Sequence, residues 1–323
     1  MMRVLAADIG GTHARFAVAT CVDGEISLAH EIVFDTARYT NLPNAWGAYR
    51  AHVGLPLPNA AALAVAAPVS GEVLKFTNSP WEIRPGSLRR ELGLDDLTLI
   101  NDFAAVAHAV AILPDNQFKP LCGPQVPLPS EGVISIIGPG TGLGVAQLIR
   151  HGGRAEVVAT EGGHIGFAPH DPVEDQILAH LRLRHTRVSA ERLASGPGLM
   201  NIYAAMAAPE ERPLRFTDDK ALWEAATAGG DQLAVAALER FCLCLGGFAG
   251  DIALAHGAHG AVIGGGVGQR LADILPQSGF VRRFAAKGRF ETMMAGMPVK
   301  LVTHPAPGLI GAAAAFFAGA GRI

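Results

Sequence analysis

Two short glycine-threonine turns constrain the fold of this chain more than any other feature of its sequence. The first is Asp8-Ile9-Gly10-Gly11-Thr12, and the second is Gly138-Pro139-Gly140-Thr141-Gly142-Leu143-Gly144. Each turn follows an apolar run typical of a β-strand and leads into a second short apolar run. A strand, a tight glycine turn and a returning strand predict a β-hairpin. We therefore expect two related halves, each built around one such hairpin.

Each hairpin tip has two interpretations. An ordinary tight turn also uses glycine, so one turn alone does not indicate a ligand. In a functional turn, the glycines let backbone N–H groups surround phosphate oxygens. The Gly-x4-Gly-Lys-Ser/Thr phosphate loop is absent, and a strand rather than a helix follows each turn, which excludes a dinucleotide-binding βαβ unit. Asp8 ends the first strand, where a carboxylate is well placed to hold Mg²⁺ beside a phosphate. The paired occurrence favours nucleotide binding.

The composition indicates a compact α/β protein. The chain has 323 residues, of which 50% are hydrophobic and 17% charged, so it has room for two domains. The net charge is −3 and no basic patch with interleaved aromatic residues is present, so nucleic acid is not an expected partner.

Several features predict a cytoplasmic protein. The N-terminus lacks the apolar core of a signal peptide, and the four cysteines are compatible with a reducing compartment. The long apolar stretch 233–256 contains Glu239, Arg240 and Asp251, so we expect a buried helix rather than a membrane span. Cys242 and Cys244 would face different sides of that helix, which makes a metal site there improbable.

The order of elements predicts a duplicated domain. Three strands open the chain, followed by a helix, a buried strand over 60–69, a short helix, a strand over 97–100 and a helix from Asp102. Pro114 to Pro129 is rich in proline and predicts a crossover between domains. The strand–turn–strand pattern restarts at Val133 and mostly helices follow. We expect a small domain of 1–112 plus 304–323, because the last helix would return to it, and a large domain of 113–303.

Asn101 and Asp102 lie where a strand ends and a helix begins. Both are favoured helix N-cap residues, so a purely structural role is one interpretation. Alternatively, a carboxylate at this edge of a sheet accepts the proton of an attacking hydroxyl group. A carboxylate turned toward its own helix would be a poorer base.

Three further segments contain polar or glycine-rich sequences, and each has two interpretations. Glu161-Gly162-Gly163-His164 is either a surface turn or a loop pressed against a small ligand. Glu191 is either a first-turn helix glutamate or a ligand-binding carboxylate. Carboxylates accept two hydrogen bonds from neighbouring hydroxyl groups, so the set suits a polyhydroxyl ligand. Gly264-Gly265-Gly266 is either a tight βα turn or a surface for a nucleoside.

Taken in order, these motifs resemble the proteobacterial, ATP-dependent glucokinase family of the hexokinase–actin–chaperone ATPase superfamily. The resemblance rests on both glycine turns, Leu99-Ile100-Asn101-Asp102-Phe103, Glu161-Gly162-Gly163-His164 and the segment from Ser189 to Gly198. Thr77-Asn78-Ser79-Pro80-Trp81 and Lys287-Gly288-Arg289-Phe290 are also similar to segments of that family. The resemblance implies an α/β fold of two ribonuclease-H-like (actin-like ATPase) domains with a cleft between them. His13, Pro139 and Gly166 depart from the family pattern.

The resemblance also implies a role for each site residue. Asp102 would be the catalytic base. The residues implied to bind the sugar are Asn101, Asp102, Glu161, His164, Glu191 and Asn78. Asp8 would be the Mg²⁺ residue. The residues implied to bind ATP are Ala7, Asp8, Ile9, Gly10, Gly11, Thr12, Gly140, Thr141, Gly142, Gly265 and Gly266.

The implied reaction is transfer of the γ-phosphoryl group of MgATP to the 6-hydroxyl of glucose, the first step of glycolysis. Glucose and MgATP would be the partners, and a homodimer is expected because dimers are common in the family. Three alternatives remain: a sugar-binding sensor with little catalysis, a kinase for another hexose, and an actin- or chaperone-like ATPase. The sugar-binding set counts against the last of these.

Overall fold

The computed structural model describes residues 2–67, 69, 71–76, 79–210 and 213–319. The chain divides into two compact units, which are described separately. Unit 1 comprises Met1–Pro114 and His304–Ile323, and unit 2 comprises Asp115–Thr303.

Unit 1 is built on a mixed sheet with the strand order β3-β2-β1-β4-β7. The first three strands form an antiparallel meander, whereas β4 and β7 run parallel to β1. A separate antiparallel pair is formed by β5 and β6. The strands of unit 1 are β1 (Met2–Ile9), β2 (His13–Val22), β3 (Glu25–Asp35), β4 (Ala60–Val65), β5 (Leu74–Phe76), β6 (Ser79–Ile83) and β7 (Asp96–Asn101).

The first helices of unit 1 are α1 (Leu42–Val53), α2 (Pro85–Glu91) and α3 (Asp102–Ile112). Helix α1 begins where the Asn41 side chain accepts a hydrogen bond from the Asn44 N–H, and it ends at Gly54 with a left-handed φ of 63°. These are the usual start and stop signals of a helix. One face of the sheet packs on α1, where Phe16, Trp46 and Tyr49 form a buried aromatic group.

Unit 2 repeats the same strand pattern. Its sheet has the order β11-β10-β9-β12-β13-β8, with an antiparallel meander first and parallel strands β12 and β13 next. Strand β8 adds an antiparallel edge beside β13. The strands are β8 (Phe118–Cys122), β9 (Gly132–Pro139), β10 (Leu143–His151), β11 (Arg154–Thr160), β12 (Gly260–Ile263) and β13 (Val299–Val302). Because β1-β2-β3-β4-β7 and β9-β10-β11-β12-β13 share direction and order, the expected duplication is seen in the topology.

Helices dominate the rest of unit 2. They are α4 (Pro172–Arg182), α5 (Gly198–Ala207), α6 (Asp219–Ala228), α7 (Gln232–Ala255), α8 (Gly265–Arg270), α9 (Gly279–Ala285) and α10 (Glu291–Ala295). Aspartates 171, 218 and 231 cap α4, α6 and α7, each accepting hydrogen bonds from backbone N–H groups of the first turn.

Helix α7 is the longest apolar segment. Among the helices that the structure describes, it alone has the length and composition to cross a membrane. However, 72% of its most apolar window is buried within the protein, as expected for a core helix. Cys242 and Cys244 are buried on it, and burial raises the pKa of the Cys242 thiol to about 12.

A buried group of charges joins α4, α7 and α9, and we call it the ion cluster: Asp171, Glu174, Arg240 and Arg283. Glu174 is fully buried and lies 3.1 Å from Arg240 and 3.2 Å from Arg283. Arg283 also lies 2.8 Å from Asp171. The four charges therefore compensate one another where water is largely excluded.

The last helix, α11 (Pro307–Phe317), belongs to unit 1. It packs along α3 and β1, and Gly311 fits against the backbone of Ala105. Glycine and alanine predominate on this helix, so it lies close to its neighbours and is buried along most of its length.

The structure corrects the sequence-based elements in several places. The buried strand predicted over 60–69 ends at Val65. The proline-rich segment 114–129 is not only a connection, because Phe118–Cys122 forms edge strand β8. Strand β11 was not predicted, since its residues are mostly exposed and give no apolar pattern.

Candidate functional site

The first glycine turn is the tip of the β1–β2 hairpin. The strands pair up to Ile9 and Ala14, and the Gly10 N–H donates to the His13 carbonyl at 2.9 Å. Thr36, which follows β3 and is buried, fixes the tip from the side. Its N–H donates to the Thr12 carbonyl at 3.0 Å and its hydroxyl donates to the Gly11 carbonyl at 2.8 Å. The turn is therefore anchored through its carbonyl groups.

Asp8 lies one residue before the end of β1, directly opposite Arg15. Its side chain is 22% exposed, and a carboxylate oxygen lies 3.6 Å from the Arg15 guanidinium. Burial raises the pKa of Asp8, and the charge of Arg15 opposes that shift. On either side, the side chains of Ala7 and Ile9 are fully buried in the core. Only the backbone of these two residues is therefore available for the nucleotide contact that the sequence predicts.

The Asp8 carboxylate also lies against the first turn of α11. A Cβ atom on Gly308 would be 2.5 Å from the Asp8 Oδ2 atom, so only glycine fits there without a shift. Backbone N–H groups in the first turn of a helix favour a nearby negative charge. Gly308 and Arg15 thus shape the surroundings of the predicted magnesium residue.

Asn101 and Asp102 join β7 to α3, as predicted. Asn101 provides the helix cap: its Oδ1 atom accepts hydrogen bonds from Phe103 N–H at 2.9 Å and Ala104 N–H at 3.2 Å. Its amide nitrogen lies 3.5 Å from the Ala67 carbonyl. Asp102 is the first helical residue, and its Oδ1 atom accepts from the Phe103 N–H at 2.9 Å. The structural interpretation of the pair is therefore correct for Asn101.

The second glycine turn is the tip of the β9–β10 hairpin in unit 2. Pro139 pairs with Leu143, and the Gly140 N–H donates to the Gly142 carbonyl at 2.8 Å. The Gly140 carbonyl in turn accepts from the Gly196 N–H at 2.7 Å. Thr141 is exposed at the tip.

Glu161, His164 and Glu191 lie together beside this second turn. His164 Nε2 is 3.8 Å from a Glu161 carboxylate oxygen, and His164 Nδ1 is 3.9 Å from Glu191 Oε1. The other oxygen of Glu191 accepts a hydrogen bond from the Leu143 N–H at 3.1 Å. Glu191 is in a 3₁₀ turn, Ala190–Arg192, rather than in an α-helix. Unit 2 therefore brings three predicted sugar-binding residues to the predicted phosphate turn.

Gly265 also belongs to this group. It is the first residue of α8 and has a φ of 75°, which favours glycine. A Cβ atom there would be 2.5 Å from the Pro139 carbonyl oxygen. Gly266 follows with open space where a Cβ would be. The βα turn is thus packed against the end of the second hairpin.

Sequence reasoning missed the supporting residues Thr36, Gly196 and Gly308. Gly308 follows Pro307, a common helix-start signal, but nothing local indicates that it faces Asp8. Asn78, a predicted sugar-binding residue, lies outside the described residues. Across the residues that the structure describes, no group of three or more His, Cys, Asp or Glu side chains is arranged to hold a metal ion.

Comparison with known proteins identifies the family of this chain. The glucokinase family model matches residues 5–318. The chain is 57% identical over 316 residues to a glucokinase from Zymomonas mobilis, with 98% of each sequence covered. A solved glucokinase from an Antarctic psychrotroph superposes with a TM-score of 0.85 at 37% identity, covering 98% of this chain and 99% of that one.

A more distant solved structure, the glucokinase from Balamuthia mandrillaris in complex with glucose, has a TM-score of 0.78 at 21% identity and covers 97% of this chain and 92% of that one. At this identity the similarity supports the fold alone. The predicted α/β class with the actin-like ATPase fold is confirmed by these neighbours. Because the family model and a relative of 57% identity both span nearly all of the sequence, the chain belongs to the glucokinase family, which comprises ATP-dependent hexose kinases.

Proposed function

We propose that this protein transfers the γ-phosphoryl group of ATP to the 6-hydroxyl group of glucose, giving glucose 6-phosphate and ADP. One observation carries the proposal beyond family membership. In unit 2, His164 lies 3.8 Å from Glu161 and 3.9 Å from Glu191, and Glu191 is hydrogen-bonded to the glycine turn at Leu143. A polyhydroxyl acceptor and a phosphoryl donor would thus be bound by adjacent groups.

Sugar recognition follows from the hydrogen-bonding capacity of these side chains. Each carboxylate accepts hydrogen bonds from two neighbouring hydroxyls, and His164 either donates or accepts. Asn101 would add amide N–H groups, since its oxygen caps α3. An epimer of glucose would leave one buried donor or acceptor without a partner, which would cost about 1–3 kcal/mol of binding free energy. We therefore expect glucose to bind more tightly than other hexoses.

Asp102 is the catalytic base of this proposal. It lies in the first turn of α3, where its carboxylate accepts a hydrogen bond from the Phe103 N–H. The carboxylate accepts the proton of the 6-hydroxyl as that oxygen forms a bond to the γ-phosphorus, and the bond from the γ-phosphorus to the β–γ bridging oxygen breaks. General-base catalysis of this kind contributes about 10²–10⁴-fold.

The two glycine turns hold the phosphates. Their partly exposed tips, 10–12 and 140–142, would provide backbone N–H groups and the hydroxyls of Thr12 and Thr141. Gly266 has open space beside its backbone and, together with Gly265, would provide a backbone surface for the nucleoside. Positioning and charge stabilisation supply most of the catalysis in phosphoryl transfer, so rigid turns are suited to it.

Asp8 is a suitable residue for Mg²⁺. The ion prefers hard oxygen ligands, keeps several waters and needs only one or two carboxylates in addition to phosphates. A single carboxylate next to a phosphate turn fits this chemistry. When bound, Mg²⁺ would neutralise charge on the phosphate oxygens. The Asp8 side chain would hold it, oriented by Arg15 and by the close fit of Gly308.

We further infer that units 1 and 2 act as the small and large domains of the kinase. We propose a cytoplasmic homodimer acting in the first step of glycolysis. The free cysteines suit a reducing compartment, and the resemblance to a family in which dimers are common favours a dimer.

The decisive experiment measures initial rates of sugar phosphorylation with MgATP and glucose, mannose, fructose or N-acetylglucosamine. We expect a clear preference for glucose. If the enzyme preferred a different hexose, the proposed substrate would be wrong but the proposed reaction, phosphoryl transfer from ATP to a sugar, would stand. Glucose binding by calorimetry without turnover on any of the four sugars would contradict the proposal and indicate a sensor.

A further inference from the structure

A hydrogen-bonded relay connects the core of unit 2 to the second glycine turn. Trp223 lies on α6, and its indole N–H donates to the Gly196 carbonyl at 3.0 Å. The N–H of Gly196 then donates to the Gly140 carbonyl at 2.7 Å. Only one loop residue therefore separates the tryptophan from the turn.

The same tryptophan also contacts the other side of the turn through α8. The Arg270 guanidinium lies 5.5 Å from the centre of the Trp223 ring, within cation–π range. Arg270 ends α8, the helix whose first residue, Gly265, is packed against Pro139. Trp223 thus contacts both the loop and the helix that pack against the second turn.

Trp223 itself is buried: only 4% of the residue is exposed, and its ring packs edge-on against Phe241 at 5.3 Å. The side chain is fixed by the core and acts on the turn through Gly196. The turn needs such support, because glycines at its tip have no side chains of their own to restrict the backbone.

We propose that Trp223 is a positioning residue that sets the orientation of the second phosphate turn and thereby the affinity for ATP. This inference rests on the proposed role of residues 140–142 in phosphate binding. N–H groups stabilise phosphate charge best when they are oriented before the ligand arrives. The indole N–H provides that orientation by fixing the Gly196 peptide.

The test compares Trp223→Phe with Trp46→Phe. The first variant keeps an aromatic ring in the core but removes the N–H donor. Trp46 is a matched control: it is buried in unit 1, and within the part of the chain that the structure describes its indole nitrogen has no hydrogen-bond partner.

We expect Trp223→Phe to raise the Kd and KM for ATP about tenfold, equivalent to ~1.4 kcal/mol. The Kd for glucose should stay at the wild-type value, and Trp46→Phe should change neither. Equal loss of affinity for both ligands, or unchanged ATP affinity, would overturn the proposal, because general loosening of the core does not single out one ligand.

Gly196→Ala provides a second route if Trp223→Phe does not fold. A Cβ atom at Gly196 would be 3.1 Å from the Gly140 carbonyl oxygen, so it presses on the turn without altering the tryptophan. The same selective loss of ATP affinity is expected, and wild-type ATP affinity would contradict the relay. Because ATP binding is measured directly, failure of the relay is distinguished from failure of glucose phosphorylation in the wild-type protein.

Discussion

The Glu191 carboxylate accepts a hydrogen bond from the Leu143 N–H at 3.1 Å, at the point where the second glycine turn enters β10. Its other oxygen faces His164 at 3.9 Å. One side chain therefore contacts both the proposed sugar-binding group and the proposed phosphate turn. A substitution on the β10 side of the turn that displaces the Glu191 carboxylate should therefore affect sugar binding.

Gly142→Ala tests that connection. A Cβ atom at residue 142 would be 2.6 Å from Glu191 Oε2, which forces the carboxylate away from the Leu143 N–H. We expect the KM for glucose and the KM for ATP to rise together, each about tenfold or more, as measured by steady-state kinetics.

Gly166→Ala is the control for this change. Gly166 is two residues from His164 in sequence, and open space is present where the methyl group would be. It should leave both KM values near those of the wild type. A Gly142→Ala enzyme with a normal KM for glucose would show that Glu191 does not connect the two groups.

Asp102→Asn should abolish most of the turnover while glucose still binds. Asparagine can keep the hydrogen bond with Phe103 N–H but is not a base, so kcat should fall about 10²–10⁴-fold. Calorimetry would give the glucose Kd, and a coupled assay the rate. Asp95→Asn, an exposed carboxylate immediately before β7, is the control. Near wild-type kcat in Asp102→Asn would remove the base assignment.

Gly308→Ala should impair the use of Mg²⁺. Alanine normally favours a helix over glycine by up to about 1 kcal/mol, but here the methyl group would be 2.5 Å from Asp8 Oδ2. The displaced carboxylate should raise the Mg²⁺ concentration needed for half-maximal activity about tenfold. In contrast, Gly47→Ala, in an uncrowded position on α1, should leave the magnesium titration unchanged. Equal titration curves for the two variants would argue against Asp8 as the magnesium residue.

Glu174→Gln should strongly destabilise the protein. It leaves Arg240 and Arg283 in the ion cluster with one negative charge fewer, where water is largely excluded. Breaking a buried ion pair in this way costs about 3–5 kcal/mol. Urea denaturation would measure the loss, although separate unfolding of the two units would require fitting two transitions. Asp175→Asn, an exposed carboxylate on the same helix, should change stability by less than about 0.5 kcal/mol.

Protonation of Asp171 should contribute to the loss of folding stability at low pH. Burial alone would raise its pKa, but hydrogen bonds from Arg240, the Glu174 N–H and Arg283 lower it to about 2. A carboxyl with a depressed pKa stabilises the fold above its ordinary value of 3.8, and that contribution is lost as the pH falls through about 2. Between pH 5 and 2.5, the urea midpoint should therefore drop more steeply for the wild type than for Asp171→Asn. Parallel curves would show that this carboxyl does not contribute.

The helices and strands were largely predictable because their signals are local. A helix follows the three opening strands as predicted, and both glycine turns are hairpin tips. Exposed β11 and edge strand β8 were missed or misassigned, since neither has the apolar pattern that burial imposes. Their positions depend on pairing with distant strands.

The amino-acid sequence alone was enough to identify the family and to predict the local structure of each motif. Glycine turns, helix caps and apolar runs depend on only a few neighbouring residues. The contacts that support the motifs come from segments far away in the chain. Thr36 anchors the first turn, Gly308 borders Asp8, and Trp223 reaches the second turn through Gly196. Such contacts depend on how helices and sheets pack in three dimensions, and no local pattern in the sequence encodes them.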